Sequence, residues 1–215
     1  MCEDVRDAVA VIGQRRAGRR GVRPGTDGDY RSMNQALLSK QAAERDTPFP
    51  YGTVQAELPE SSPAAVALAS VREEIAEEDL AGRGRDIGPP HITLRYGIQG
   101  EDTSTIEALL KAQKPIATTL GATASFPPSA SREVAVIIAN IDCPELHALH
   151  QRLGSVVDFA ELTHAYEPHV TVAYVRPEVA EKYVGNQITA GQTFVITEVV
   201  IRTASEEEVV VTLNE

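Results

Sequence analysis

One seven-residue segment occurs twice in this chain. Pro90-His91-Ile92-Thr93-Leu94-Arg95-Tyr96 recurs as Pro168-His169-Val170-Thr171-Val172-Ala173-Tyr174, and both copies read Pro-His-aliphatic-Thr-aliphatic-x-Tyr. Polar and aliphatic residues alternating after a proline form a strand pattern. Alternate side chains of a strand share a face roughly 6–7 Å apart, so each His projects beside its own Thr. The aliphatics, with Tyr96 and Tyr174, are then expected on the core face. A chain that uses the same strand at equivalent places in two stretches has to build two similar halves and set them against each other.

The punctuation around the repeat agrees with that. Strands are expected at 52–58, 91–98, 115–126, 133–143 and 169–175, with a closing hairpin of 193–203 and 208–213. Helical spacing or helix-start signals mark 64–80, 103–113, 144–157 and 177–184, and Ser62-Pro63 forms an N-cap and N1 pair. The order is β-α-β-α-β followed by β-α-β-α-β-β, which favours an α+β or α/β sheet protein with helices on the outer faces. Residues 1–50 stand apart. They carry 9 basic and 7 acidic side chains, with Arg15 to Arg23 interleaved with glycine. The expectation is an N-terminal extension with short helices at 4–14 and 32–45 and a mobile linker at 15–29, ahead of one domain at 51–215.

Charge narrows the function classes. The whole chain has a formal net charge of −11, and residues 51–215 carry 11 basic against 24 acidic side chains. A coat for long nucleic acid needs dense Lys and Arg, so no long nucleic acid is expected as a partner. The longest apolar run, 134–139, is far short of the roughly 20 residues that span a bilayer, and Met1-Cys2-Glu3-Asp4 lacks a basic leader. Cys2 and Cys143 form no disulfide framework or zinc pattern. No membrane partner and a cytoplasmic location are therefore expected.

The repeated His and Thr are the candidate chemistry. Brought together, two imidazoles and two hydroxyls suit phosphodiester cleavage. One neutral imidazole takes a proton from the attacking oxygen, and the other, as imidazolium, protonates the leaving oxygen. The hydroxyls and nearby amides hold the non-bridging oxygens. None of this requires a metal or cofactor.

With those residues in view, the sequence resembles the 2H phosphoesterases, whose tandem His-x-Thr motifs lie roughly 80 residues apart. That group includes 2′-5′ RNA ligase-like proteins, cyclic phosphodiesterases and phage anti-CBASS nucleases. The resemblance covers about residues 51–215 and rests on the two motifs. It implies a bilobal α+β fold whose mostly antiparallel sheets form a central cleft. It also implies a metal-independent phosphodiesterase with His91 and His169 as acid and base and Thr93 and Thr171 on the phosphate. A faint likeness of 38–53 to phage head-associated segments points to a phage origin, hence a host-cytoplasm setting. The expected partner is a small nucleotide, favouring a cyclic oligonucleotide signal, with a 2′,3′-cyclic phosphate or a non-catalytic nucleotide-binding role as rivals.

Further substrate-binding candidates are Tyr51, His164, Tyr166, Arg95 and Glu198. Tyr51 could stack on a base from the first strand's end, and His164 and Tyr166 could line the cleft mouth. Arg95 shares the His91–Thr93 face by alternation and could clamp a phosphate. Glu198, interrupting an apolar strand, could accept from a base amino group, but the solvent-facing edge position is the favoured reading. His147 and His150, three apart on a helix, lack the companions of a metal site and read as helix-surface histidines.

Overall fold

The computed structural model describes residues 51–129, 132–160 and 165–214, so the expectations for residues 1–50 lie outside the described residues. Eight strands form one sheet: β1 (Gly52–Glu57), β2 (His91–Ile98), β3 (Ile116–Phe126), β4 (Ala135–Ile141), β5 (His169–Val175), β6 (Thr193–Ile196), β7 (Glu198–Arg202) and β8 (Glu208–Thr212). Their spatial order is β6-β3-β4-β5-β2-β1-β7-β8, and every pairing is antiparallel. The helices are α1 (Pro63–Glu74), α2 (Ser104–Lys111) and α3 (Pro144–Leu153). The fold is α+β. No helix among the described residues is long and apolar enough to cross a membrane.

The two motif strands lie at the centre of this sheet, side by side. They meet through the pair Ile92↔Val170. Helix α1 starts where Ser62 Oγ accepts from the Ala65 amide at 3.2 Å and Pro63 takes the first helical turn, a position where its missing N–H costs nothing. It buries Leu68 and Val71 and packs on β5 and β6. Helix α3 buries Leu146, Leu149 and Leu153 and packs on β2. Each helix thus covers the motif strand of the other half. Ile92, Leu94, Val170 and Val172 lie beneath them with no exposed surface.

The sequence-based elements differ from the structure in three places. The 64–80 helix stops at Glu74 and gives way to a 3-10 turn at Glu77–Asp79, and the short helix after Pro177 is 3-10 throughout. The expected long strand 193–203 breaks at Thr197: β6 pairs with β3, whereas β7 pairs with β1 and β8. One chain segment thereby serves distant parts of the sheet, which must curl. Finally, both motif strands carry a bulge just after the threonine. Val54 and Gln55 face Arg95 and Thr93, and Ile137 and Ile138 face Ala173 and Thr171. An extra residue shifts the alternation by one. Tyr96 therefore leaves the core face, and both Tyr96 and Tyr174 are half-buried rather than buried.

Candidate active site

The bulges and the central pairing decide what stands where. Extending the antiparallel register of Ile92↔Val170 by one residue on either side puts His91 opposite Thr171 and Thr93 opposite His169. Residues directly opposite share a face, with diagonal neighbours about 7–8 Å apart. His91 and His169 are such a diagonal pair, each flanked by the other copy's threonine. The two imidazoles feel each other electrostatically, since the charge of His91 acts on the titration of His169.

Each ring is held in the same way. His91 Nδ1 lies 2.9 Å from the Pro89 carbonyl and His169 Nδ1 lies 2.7 Å from the Glu167 carbonyl. A carbonyl only accepts, so Nδ1–H is the donor in both rings and Nε2 is left for chemistry. The carbonyl is two residues upstream in each case, and the proline before each His cannot offer an N–H to compete.

The surroundings of the two rings differ. Phe126 meets His169 edge-to-face with centroids 4.9 Å apart, and β4 places Asn140 opposite it. Burial pushes the His169 pKa below the ordinary imidazole value. The Glu167 carbonyl and carboxylate oppose that shift, whereas the His91 and Arg132 charges add to it. His91 instead has Glu57 opposite it on β1, and Thr93 has Gln55. Arg202 ties these neighbours down, donating to Gln55 Oε1 at 2.7 Å, Glu57 Oε1 at 3.1 Å and Glu208 Oε1 at 2.6 Å.

Beside His169 lies a cavity of about 740 Å³, whose lining includes His169 and Thr93 but not His91 or Thr171. Thr93 to Tyr96 form one wall and Ala165 to Glu167 with His169 the other, while Phe126 to Ser129 and Arg132 close one side. Gly97, at φ +91, lets the segment before this wall come close: a side chain there would press on the backbone of Ala160 at 3.2 Å. That approach allows Phe159 to pair with Ile98 and extend β2 past the cavity.

Arg95 is not on the His91–Thr93 face. The bulge turns it opposite Val54, where Nη1 lies 2.6 Å from His150 Nε2 and the guanidinium sits 4.2 Å over the Phe159 ring. It lines the cavity, but as part of the wall rather than as a free clamp. His150 is half-buried, not a helix-surface residue. Its Nδ1–H donates to Leu94 O at 2.7 Å, and burial holds its pKa below the usual value. It leaves Nε2 to accept from Arg95. In the other half Arg72 does the same for the second bulge, donating to Val172 O at 3.1 Å and Thr171 O at 3.2 Å. Each bulge thus has its loose carbonyl secured by the helix that covers it.

Tyr166 lines the cavity, stacked on His150 at 3.9 Å and met by the edge of His147 at 5.4 Å. One face of its ring is taken by His150, and the residue stands in the cavity lining. Tyr51 touches the cavity only through Tyr96, ring edge to ring at 6.2 Å. Glu198 is exposed at the start of β7 opposite Thr212 and away from the cavity lining, the solvent-facing alternative of the sequence reading. His164 lies outside the described residues. Among the described residues, no group of three or more His, Cys, Asp or Glu could hold a metal ion.

Composition and spacing did not reveal Phe126, Arg132, Asn140, Gln55, Glu57 or Arg202. Phe126 alone carried a hint, as a lone aromatic ending a strand just before Pro127-Pro128.

A family model described as the 2′-5′ RNA ligase superfamily matches residues 58–206. No curated protein matches the sequence significantly. Among solved structures, Usb1 of Kluyveromyces marxianus is similar at 12% identity and a TM-score of 0.55, covering 77% of this chain and 99% of that one. The same protein with uridine monophosphate gives 12% identity and a TM-score of 0.54, covering 77% and 100%. LigT of E. coli with NADP+ gives 17% identity and a TM-score of 0.50, covering 77% and 95%. At these identities the structures speak for the fold.

Proposed function

Because the chain belongs to the 2′-5′ RNA ligase superfamily of 2H phosphoesterases, a phosphodiesterase by class, we propose that it hydrolyses a small nucleotide phosphodiester with two imidazoles and no metal. The favoured substrate is a cyclic oligonucleotide. What supports this reading is the β2–β5 pairing at Ile92↔Val170, whose register sets each His towards the other copy's Thr, together with the two Nδ1 atoms held by carbonyls so that Nε2 is left for chemistry.

His169 is the base. Burial keeps it neutral near pH 7, as proton removal requires. Its Nε2 takes the proton of the attacking oxygen as that oxygen bonds to phosphorus. His91, half-buried and beside Glu57, supplies as imidazolium the proton that the leaving oxygen needs when its bond breaks. Thr93 and Thr171 donate to the non-bridging oxygens. Both rings then exchange protons with water and the cycle restarts.

Two facts favour a compact substrate over a long strand. The body is net acidic, and similar folds have been solved with uridine monophosphate and NADP+. The deciding experiment is turnover, in EDTA, of a panel of cyclic di- and trinucleotides, 2′,3′-cyclic nucleotides and a linear RNA. The expected result is hydrolysis of cyclic oligonucleotides. Turnover confined to 2′,3′-cyclic nucleotides would replace the substrate assignment, binding without turnover would make the protein a nucleotide sponge, and a requirement for added metal would refute the two-imidazole chemistry.

A pH profile tests the base. The ascending limb of kcat/KM reports deprotonation of His169, so its midpoint falls below about 6.5. Phe126→Ala lets water reach the ring and moves that midpoint up towards the ordinary value, with Glu167, His91 and Arg132 still in place around it. A limb that Phe126→Ala leaves unmoved speaks against His169 as base.

A further inference from the structure

Of the two arginines lining the cavity, Arg95 is engaged by His150 and Phe159, whereas Arg132 is held ready. Its Nε donates to Val134 O at 3.1 Å and its Nη2 to Pro127 O at 2.8 Å. The short loop that carries it is pinned by reciprocal backbone bonds between Ser129 and Arg132 at 2.8 and 3.0 Å. Two carbonyls therefore fix the direction of the guanidinium before any ligand arrives, and no carboxylate pairs with it among the described residues. That is notable on an acidic body, where seven ion pairs engage other cations. Glu167 lines the same cavity, yet among the described residues it forms no ion pair with Arg132.

Position says what the cation is for. Arg132 bonds the carbonyl of Pro127, next to Phe126, whose ring edge meets His169. The Arg132 charge is felt at His169, and both residues line the one cavity. The reacting phosphate already has two imidazoles and two hydroxyls. A cavity of about 740 Å³ is far larger than that one group needs and falls within the range of small-molecule sites.

We propose that Arg132 is a specificity residue that binds a second phosphate of the substrate, one nucleotide away from the phosphate being cleaved, and so selects substrates with at least two phosphodiesters. This deepens the phosphodiesterase reading and rests on it. A fixed guanidinium donates two parallel hydrogen bonds to a phosphate, a geometry that an ammonium reproduces only as a point charge.

The test compares kcat/KM for a cyclic dinucleotide with that for a nucleoside 2′,3′-cyclic phosphate, in wild type, Arg132→Gln and Arg132→Lys. One substrate carries two phosphates and the other one. The preference for the two-phosphate substrate is expected to fall about ten- to a hundredfold in Arg132→Gln, mainly through KM, the size of a lost hydrogen bond to a charged group. Arg132→Lys restores part of it. An equal loss on both substrates would overturn the proposal, because it would mean that Arg132 only shapes the loop, and so would no change in the ratio. If wild type turns over neither substrate, the phosphodiesterase reading fails. Calorimetry with the same two ligands then decides the Arg132 question separately: tighter binding of the dinucleotide that Arg132→Gln abolishes supports it, and equal binding refutes it.

Discussion

His91→Ala and His169→Ala are each expected to lower kcat by about 10²–10⁴-fold, while leaving substrate KM within a fewfold and the fold intact. Both rings are half-buried at the cleft, so truncating either leaves the core below undisturbed. The double variant should be little worse than the more damaged single one, because groups acting as a unit are strongly non-additive. The two variants should also separate by pH. Removing His169 abolishes the ascending limb of the profile, whereas removing His91 leaves that limb in place. Full activity in either variant contradicts the mechanism, as does a double-variant loss equal to the product of the single losses.

The second large effect concerns the joint between the halves. Ile92 has no exposed surface and pairs with Val170 where β2 meets β5. Ile92→Ala removes three carbons from under both candidate His–Thr pairs. The expected cost is about 2–5 kcal/mol in chemical unfolding, a large part of the 5–15 kcal/mol that holds a typical domain together. Ile92→Val should cost about 0.5–1.5 kcal/mol. Because this pairing also sets the diagonal spacing of His91 and His169, the folded fraction of Ile92→Ala should lose kcat more than KM. A stability loss below about 1 kcal/mol would show that the Ile92 side chain does not hold the two motif strands together.

The candidate His–Thr pairs were legible because chemistry and periodicity coincide there. A His and a Thr two residues apart on a strand must share a face, and the duplication announces that the strands are equivalent. The same alternation misplaced Arg95 and Tyr96. A bulge belongs to a pairing, not to a strand: it exists because Val54 and Gln55 on β1 span three residues of β2. Nothing in the heptapeptide itself reveals it.

His150 and Arg72 were hidden for a related reason. Each helix secures the bulge of the opposite half, so the partner carbonyls lie 56 and about 100 positions away in sequence. The break at Thr197 follows from sheet curl, which local propensity does not register. Arg132 looked like one charge in a loop, and only the two carbonyls that hold it give it a direction.

The central claim is that two Nε2 atoms address one phosphate. A crystal structure of the protein with inorganic phosphate or a substrate phosphorothioate tests it most directly. The predicted result is one tetrahedral group between the strands, with His91 Nε2 and His169 Nε2 each about 2.6–3.2 Å from its oxygens and the Thr93 and Thr171 hydroxyls on the same group. Phosphate held by only one imidazole, or two phosphates bound separately at the two rings, would contradict it.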